Sequence, residues 1–331
     1  MRLQPDTLET DVAIKRQQRF GRLLLQWYDR HKRDLPWRKN RDPYRVWLSE
    51  IMLQQTRVNA VTDHYQRFLR RFPSVQKLAG AREPTVLAAW SGLGYYRRAR
   101  MLHAAAKKVT QEHAGKVPES VETLRALPGI GRYTAAAVAS IAFGQPVAVV
   151  DGNVERVLQR VQGKNLAGDG LWRAAGELLD QRRPGDFNQA MMELGAILCL
   201  PRQPQCLLCP VSNLCATRGE LRQRGKEARQ KKREIHYAFA WREASVFLVQ
   251  RSKTATLMPG MWELPEIADA NGTTEAWLTL RHSITLTDYV VRVMRSPVPN
   301  GSAGRWVRTS RITALPLTGL ARKILRAAKI I

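Results

Sequence analysis

The stretch Leu127-Pro128-Gly129-Ile130-Gly131-Arg132-Tyr133-Thr134, with the Ala-rich run behind it and Val149-Val150-Asp151-Gly152-Asn153 beyond, decides how this chain is read. Pro128 and Gly129 stop a preceding helix, and a second glycine two residues later permits a tight, positive-φ hairpin with exposed backbone N–H groups. Residues 132–143 (RYTAAAVASIAF) hold few breakers and predict a helix ended by Gly144, with Pro146 just beyond. A helix that starts after a glycine hairpin points unsatisfied N–H groups and its dipole at a phosphate. Asp151 opens a further helix whose Val154, Val157, Leu158 and Val161 keep the spacing of one buried face. Taken alone, the hairpin could join any two helices, and Asp151 could be only an N-cap.

The 331-residue length favours two domains, and a hydrophobic content of 44% suffices for two cores. No run of about 18 apolar residues occurs, so no membrane span is expected. The start, MRLQPDTLETDV, is too polar for a signal peptide. Lys and Arg total 54 against 28 acidic residues, a net charge of +26. Such a field attracts polyanions, nucleic acid first, with ribosomal association or an acidic membrane surface as plainer alternatives. The four cysteines all fall between 199 and 215, which fits a metal site in a reducing compartment better than a disulfide scaffold.

Upstream of the hairpin, residues 12–31 carry Phe20, Leu23, Leu24, Trp27 and Tyr28 at helical spacing, a packing face. Leu35-Pro36-Trp37-Arg38 breaks that helix, and Asp42-Pro43 begins another with Val46, Trp47, Ile51 and Leu53 as core. Glu50 sits among these apolar neighbours. If buried, its carboxyl would keep its proton to higher pH and could serve as a general acid; an ion pair with an arginine is the alternative. Gln54-Gln55-Thr56 supply uncharged hydrogen-bonding groups, for base edges or simply as a polar face. Residues 97–117 read as a helix whose basic face (Arg97, Arg98, Arg100, Lys107, Lys108) is either solvated or touches phosphates. Residues 172–183 read as another helical stretch without evident chemistry.

Together, LPWR (35–38), DPYRVWLSEIMLQQT (42–56), GLGYY (92–96), LPGIGRYTAAAVAS (127–140) and VDGNVERVL (150–158) resemble the MutY family of adenine DNA glycosylases, collinearly over roughly residues 20–220. The resemblance implies a mainly α N-terminal glycosylase domain, with a helix-hairpin-helix and an iron–sulfur cluster loop, over residues 1–216. It makes Glu50 the acid that protonates the adenine leaving group and then helps to activate water, and Asp151 the group that stabilises positive charge on the sugar. Tyr133 and Asn153 would support these carboxylates. Paired carboxylates in different environments suit glycosidic cleavage through an oxocarbenium-like transition state. Trp37, Arg38 and Gln189 match positions lining the family's adenine pocket, and Gln55, Leu93 and Tyr95 match groups that enter the base stack around the opposing purine. Gln54 and Thr56 belong to the same DNA-contacting set, and Gly129 and Gly131 to the hairpin. Related glycosylase/lyases carry a Lys where Tyr133 stands, and its amine forms a Schiff base; a phenol cannot, so a monofunctional enzyme leaving an abasic site is expected.

The cysteines are spaced Cys199-x6-Cys206-x2-Cys209-x5-Cys215, with Pro201, Pro204 and Pro210 forcing a loop. Chemistry alone permits a structural zinc ion or an iron–sulfur cluster. By resemblance these four would ligate a [4Fe–4S] cluster at 199–215, in a structural role that presents Arg202 and other basic groups to DNA.

Residues 217–234 hold eight basic and three acidic residues, and 217–236 reads as a basic connector. From 237 to 331 the texture changes to alternating apolar positions (YAFAWR, ASVFLVQR, YVVRVMR), which predict antiparallel strands. With Met258-Pro259-Gly260-Met261-Trp262-Glu263-Leu264-Pro265, this part resembles the family's α+β Nudix-like domain. Residues 266–279 lack a helix with paired glutamates, so recognition rather than pyrophosphate hydrolysis is expected. Where the family has a Phe-Ser-His loop that senses 8-oxoguanine, this chain has Ile284-Thr285-Leu286: Thr285 keeps a hydroxyl, but the aromatic ring and the imidazole are gone.

The expected activity is therefore monofunctional excision of adenine mispaired with 8-oxoguanine or guanine. A mismatch thymine or uracil glycosylase, sharing the Tyr/Asp pair, is the nearest rival, and a non-catalytic lesion-binding protein the rival of another class. The expected partner is double-stranded DNA with adenine mispairs, the expected state a monomer without membrane association, and the expected location the bacterial cytoplasm, on the nucleoid.

Overall fold

The computed structural model describes residues 5–221, 231–267, 275–284 and 287–331, the side chains of 5–13 and of Ile284 excepted. In chain order the helices are α1 (Pro5–His31), α2 (Pro43–Leu53), α3 (Val58–Arg71), α4 (Val75–Ala79), α5 (Glu83–Trp90) and α6 (Arg97–Glu112). They continue as α7 (Val121–Arg125), α8 (Arg132–Phe143), α9 (Gly152–Gln162), α10 (Asp169–Leu178) and α11 (Pro184–Ile197). Strands β1 (Lys231–Phe239), β2 (Trp241–Arg242), β3 (Ser245–Gln250), β4 (Trp262–Glu263), β5 (Glu266–Ile267), β6 (Leu278–Ile284), β7 (Thr287–Arg295) and β8 (Gly304–Arg308) follow, then α12 (Thr309–Ile312) and α13 (Gly319–Ala327). The chain divides into two compact units, Met1–Gln55 with Lys108–Arg224, and Thr56–Lys107 with Gly225–Ile331. Residues 56–107, expected with the helical glycosylase part, thus group with the C-terminal part.

The first unit is helical. Phe20, Leu24, Trp27 and Tyr28 of α1 pack on Val154, Val157, Leu158 and Val161 of α9 and on Phe187, Ala190, Met191 and Leu194 of α11. The apolar faces anticipated for α1 and α9 are the ones buried. Pro36–Arg38 form a 3-10 turn, and the Asp42 carboxylate caps α2 by accepting the Arg45 N–H at 2.8 Å. Two glycines let α11 approach its neighbours. A methyl group at Gly185 would lie 2.5 Å from the Ser140 carbonyl of α8, and one at Gly195 only 2.6 Å from Asn153 Cβ of α9. Any larger residue would force these helices apart, and α8 and α9 both carry candidate site residues. The anticipated 172–183 helix is α10, which ends at Leu178.

The second unit combines α3–α5 and most of α6 with two four-stranded sheets, one ordered β5-β1-β7-β6, the other β2-β3-β4 with β8 also on β3. Tyr237, Val246, Leu248, Val291, Val293 and Val307 form its core with Leu320, Ile324 and Leu325 of α13. One expectation is corrected: β1 and β7 pair in parallel, from Lys231↔Thr287 to Phe239↔Arg295. Alternation reports which face of a strand is buried, not its direction, and the intervening β2–β6 supply the long crossover that parallel neighbours need. Strand β1 also begins inside the anticipated connector. The 266–279 stretch contributes β5 and the start of β6, its other residues lying outside the described ones. Arg98 and Arg100 of α6 are not a solvated face: Arg98 turns inward, and Arg100 pairs with Glu83 at 3.0 Å and donates to the Pro259 carbonyl at 2.5 Å. Among the described residues no helix is long and apolar enough to cross a membrane.

Candidate active site

In the first unit, α2 and α8 bring Glu50 and Tyr133 together. The Tyr133 hydroxyl donates to Glu50 Oε2 at 2.7 Å and itself lies 3.3 Å from Met192 Sδ. Glu50 is buried, and no ion pair to it occurs among the described residues. Burial raises its pKa to about 7; the nearby Asp151 charge pushes the same way, while the Tyr133 hydrogen bond and the Arg38 charge pull down. The arginine alternative fails because Arg38 is committed elsewhere. Its Nη2 donates to Glu193 Oε2 at 2.8 Å, beside Arg33 at 2.7 Å. Burial would raise the Glu193 carboxyl, but hydrogen bonds from Arg33 and Arg38 hold it near 2.

Asp151 caps α9, its Oδ1 accepting from Asn153 N at 2.9 Å and Val154 N at 2.8 Å. Its Oδ2 accepts from Asn153 Nδ2 at 3.2 Å. The capping carboxylate is also near enough to Glu50 for its charge to act on that group. Asn153 Oδ1 in turn accepts from Arg156 Nη2 at 2.9 Å; Arg156 also donates to the carbonyls of Gly195 at 2.7 Å and Cys199 at 2.8 Å. Asn188, fully buried, accepts Val149 N–H at 3.1 Å and donates to Val147 O and Ser140 Oγ, which fixes the segment leading into Asp151. Neither Arg156 nor Asn188 stood out in the sequence. Arg156 had a signal, three residues after Asn153 on one helix face; Asn188 had none, because its partners, Ser140 of α8 and the 147–149 segment, are 39 to 48 residues away.

Trp37 is buried, Gln189 half-buried with Nε2 donating to Gly185 O at 3.4 Å, and Gln54 bridges to Thr134 Oγ1 at 3.2 Å. Gln55 adopts φ 54° where α2 ends. In the hairpin only Gly129 takes positive φ, at 76°, while Gly131 is the N-cap of α8 at φ −90°, ψ −179°, which any residue can adopt. The expected positive-φ role thus belongs to Gly129 alone. Nothing lies within 4 Å of a methyl group built at Gly131, and no side chain caps α8.

Thr56, Leu93 and Tyr95 belong to the second unit. Tyr95 is 48% exposed at φ 49°, whereas Leu93 is buried. Arg98 lies beneath this turn, its Nη2 3.1 Å from Thr56 Oγ1 and 3.3 Å from the Gly94 carbonyl, its guanidinium 5.3 Å from the Tyr95 ring and 5.6 Å from Trp90. Thr285 and Leu286 lie outside the described residues.

The four cysteines are free thiols that border one small cavity, walled by Val157, Val161, Leu194 and Leu198. Among the described residues, no group of three or more His, Cys, Asp or Glu is arranged to hold a single metal ion. Arg160, buried, binds the loop at several points: Nη1 lies 3.3 Å from Cys199 Sγ and 2.7 Å from Leu200 O, and Nη2 2.9 Å from Pro201 O. Its own carbonyl accepts from Thr217 N and Oγ1.

Residues 48–168, which carry Glu50, Tyr133 and Asp151, match the family model described as HhH-GPD superfamily base excision DNA repair protein. Adenine DNA glycosylase of Rattus norvegicus is 52% identical over 211 residues, 59% of this chain and 41% of that protein. The Homo sapiens adenine DNA glycosylase is 50% identical over 219 residues, 62% of this chain and 40% of that one. The chain carries the HhH-GPD base-excision-repair fold and is similar to adenine DNA glycosylases over about three fifths of its length. A solved structure of a thermostable thymine-DNA glycosylase shares this HhH-GPD fold at TM-score 0.58 and 33% identity, over 61% of this chain and 96% of that one. The chain spans about two fifths of the length of the rat and human relatives it matches.

Proposed function

We propose that the protein is a monofunctional adenine DNA glycosylase acting in base excision repair on double-stranded DNA, at adenine opposite 8-oxoguanine or guanine. The observation that carries this reading is Glu50, buried, hydrogen-bonded to a phenol rather than an amine, and held near pKa 7 beside the capped carboxylate Asp151. A carboxyl with that pKa is about half protonated at neutral pH and can give its proton to the adenine ring as the N-glycosidic bond breaks and the bonding electrons leave with the base. Asp151, held by two backbone N–H groups and Asn153, stays oriented towards the positive charge developing on the sugar. Water adds to the anomeric carbon, and its proton returns to Glu50. Tyr133 has no amine for a Schiff base, so the strand is left intact. The flipped adenine would lie against Trp37, Arg38 and Gln189. The N-terminus of α8 after Gly129-Ile130-Gly131, which no side chain caps, suits a DNA phosphate. Tyr95, with Gln54, Gln55, Thr56 and Leu93, would occupy the stack around the opposing purine, offsetting the cost of flipping.

Four free thiols around one apolar cavity, with the Arg160 guanidinium donating to Cys199 Sγ, fit a [4Fe–4S] cluster held by Cys199, Cys206, Cys209 and Cys215. When bound, the cluster would cross-link the 199–215 loop and keep it folded; the residues of the loop do the presenting of positive charge. A location in the bacterial cytoplasm, on the nucleoid, and a monomeric state belong to the same reading.

Single-turnover base release from duplexes with adenine opposite 8-oxoguanine, guanine or thymine tests it. Strand breaks that require alkali and appear only in the first two duplexes support it. Thymine release from a thymine:guanine duplex would support the second reading, a mismatch thymine glycosylase, which the fold shared with the thymine-DNA glycosylase favours. Ile284-Thr285-Leu286 implies weak discrimination between 8-oxoguanine and guanine. The double substitution Ile284→Phe, Leu286→His is expected to sharpen it, and an unchanged rate ratio would count against the idea.

A further inference from the structure

The Gly92–Tyr96 turn is not free-standing. Ser91 and Tyr96 flank it, both buried, and both hydroxyls converge on one main-chain atom: Tyr96 OH donates to the Leu317 carbonyl at 2.8 Å, and Ser91 Oγ donates to it at 3.1 Å. Residues 316–318 are an edge of the C-terminal sheet, because Trp262 N donates to Pro316 O at 2.8 Å and Thr318 N to Trp262 O at 2.9 Å. Thr318 then caps α13 by accepting Ala321 N at 3.1 Å, which sets Arg322 one turn on, where its Nε donates to Ser91 Oγ at 2.9 Å. On the other side, His64 Nε2 lies 3.2 Å from the Ser91 carbonyl, and a methyl group at Gly92 would come within 2.9 Å of that nitrogen. Arg100, one turn into α6, donates to the Pro259 carbonyl at 2.5 Å.

We infer that the C-terminal sheet domain takes part in reading the mispair by gripping the stack-entering turn at the Leu317 carbonyl, with Ser91, Tyr96 and Arg322 as the positioning residues. The inference rests on the adenine glycosylase reading above. It assigns the C-terminal domain a second route to discrimination, apart from the loop at 284–286 whose aromatic ring and imidazole are missing. A polar clamp of this kind suits the task. Its bonds are directional and buried, so the exposed Tyr95 ring is presented at a fixed angle while its own ring stays free to stack.

The test uses the full chain and a duplex carrying 2-aminopurine beside the purine opposite the target adenine, so that emission reports intrusion into the stack. Tyr96→Phe deletes only the hydroxyl, and Ser91→Ala is the second variant should the first fail to fold. Each is expected to reduce the binding-induced emission change and to slow adenine release about fivefold, the worth of one net hydrogen bond. Apparent Kd should hold within about twofold, since phosphate contacts dominate affinity. An emission change equal to that of the unsubstituted chain in both variants would overturn the clamp. Should the unsubstituted chain change the emission but release no adenine, the clamp stands and the glycosylase reading falls.

Discussion

Glu50 and Asp151, the two carboxylates proposed for catalysis, sit in different surroundings, one buried against a phenol and the other capping a helix. In the unfolded chain Glu50 titrates near 4.5, in the folded chain near 7. The native state therefore binds the extra proton between those values, so this group's contribution to stability is full below about 4.5 and is lost as pH rises through 7. Glu50→Gln is expected to abolish base release by at least about 100-fold, the usual worth of a general acid. The same variant should have a higher Tm than the unsubstituted chain at pH 8 and no advantage at pH 4.5; equal Tm values at pH 8 would show that burial does not strain the carboxylate. Base release itself should fall as pH rises above 7. Asp151 permits a cleaner separation. Asp151→Asn keeps an N-cap of equal quality, so urea unfolding should change by less than about 0.5 kcal/mol while base release collapses. Loss of about 1 kcal/mol without loss of rate would reduce Asp151 to a cap. Both carboxylates were legible through the motifs around them, DPYRVWLSEIMLQQT and VDGNVERVL, whereas local context alone reads Asp151 as a cap and Glu50 as one half of an ion pair. The Arg38–Glu193–Arg33 cluster was not legible, since it joins residues from opposite ends of the first unit.

Helices α8, α9 and α11 owe their arrangement to what is missing from Gly185 and Gly195. With Asn153 Cβ 2.6 Å from the position a methyl would take, Gly195→Ala must push α9 away at the turn that carries Asp151. The expected cost is about 1–3 kcal/mol in denaturant unfolding, with a loss of base release of at least tenfold. A fully active, equally stable variant would mean that α11 can slide. Helix boundaries themselves were readable, as with 132–143, because Gly129, Gly131 and Gly144 are punctuation that acts over a single turn. The parallel pairing of β1 with β7 was not, because strand direction is decided by a connection more than one element long. Arg98 was likewise misread as surface; only the fold of the 92–96 turn over it reveals three oxygens and two rings waiting for a cation.

At the scale of the whole chain, a net charge of +26 sets the character of any complex with DNA. Plots of log Kd for undamaged duplex against log salt should be steep, losing roughly 1000-fold or more between 50 and 200 mM if six or more phosphates are neutralised. A shallow slope would mean that the charge is spread over faces that never meet DNA. The sequence led correctly to a helical part and a sheet part, since period 3.6 gives way to period 2 after the basic connector. Residues 56–107, read with the helical part, group by contact with the C-terminal part, Leu317 and Arg322 among their partners, although the HhH-GPD match over 48–168 contains all of them.

That discontinuity carries a cost during synthesis. Helices α3–α5 leave the ribosome early, yet the sheets and α13 that complete their unit follow only after all of residues 108–224 have been made. At roughly 5–20 residues per second the wait is on the order of ten seconds. Until then, and in products of nonsense mutations ending before α13, Ser91 and Tyr96 lack the Leu317 carbonyl and the Arg322 guanidinium that meet them, and the 92–96 turn is a ready target for proteolysis.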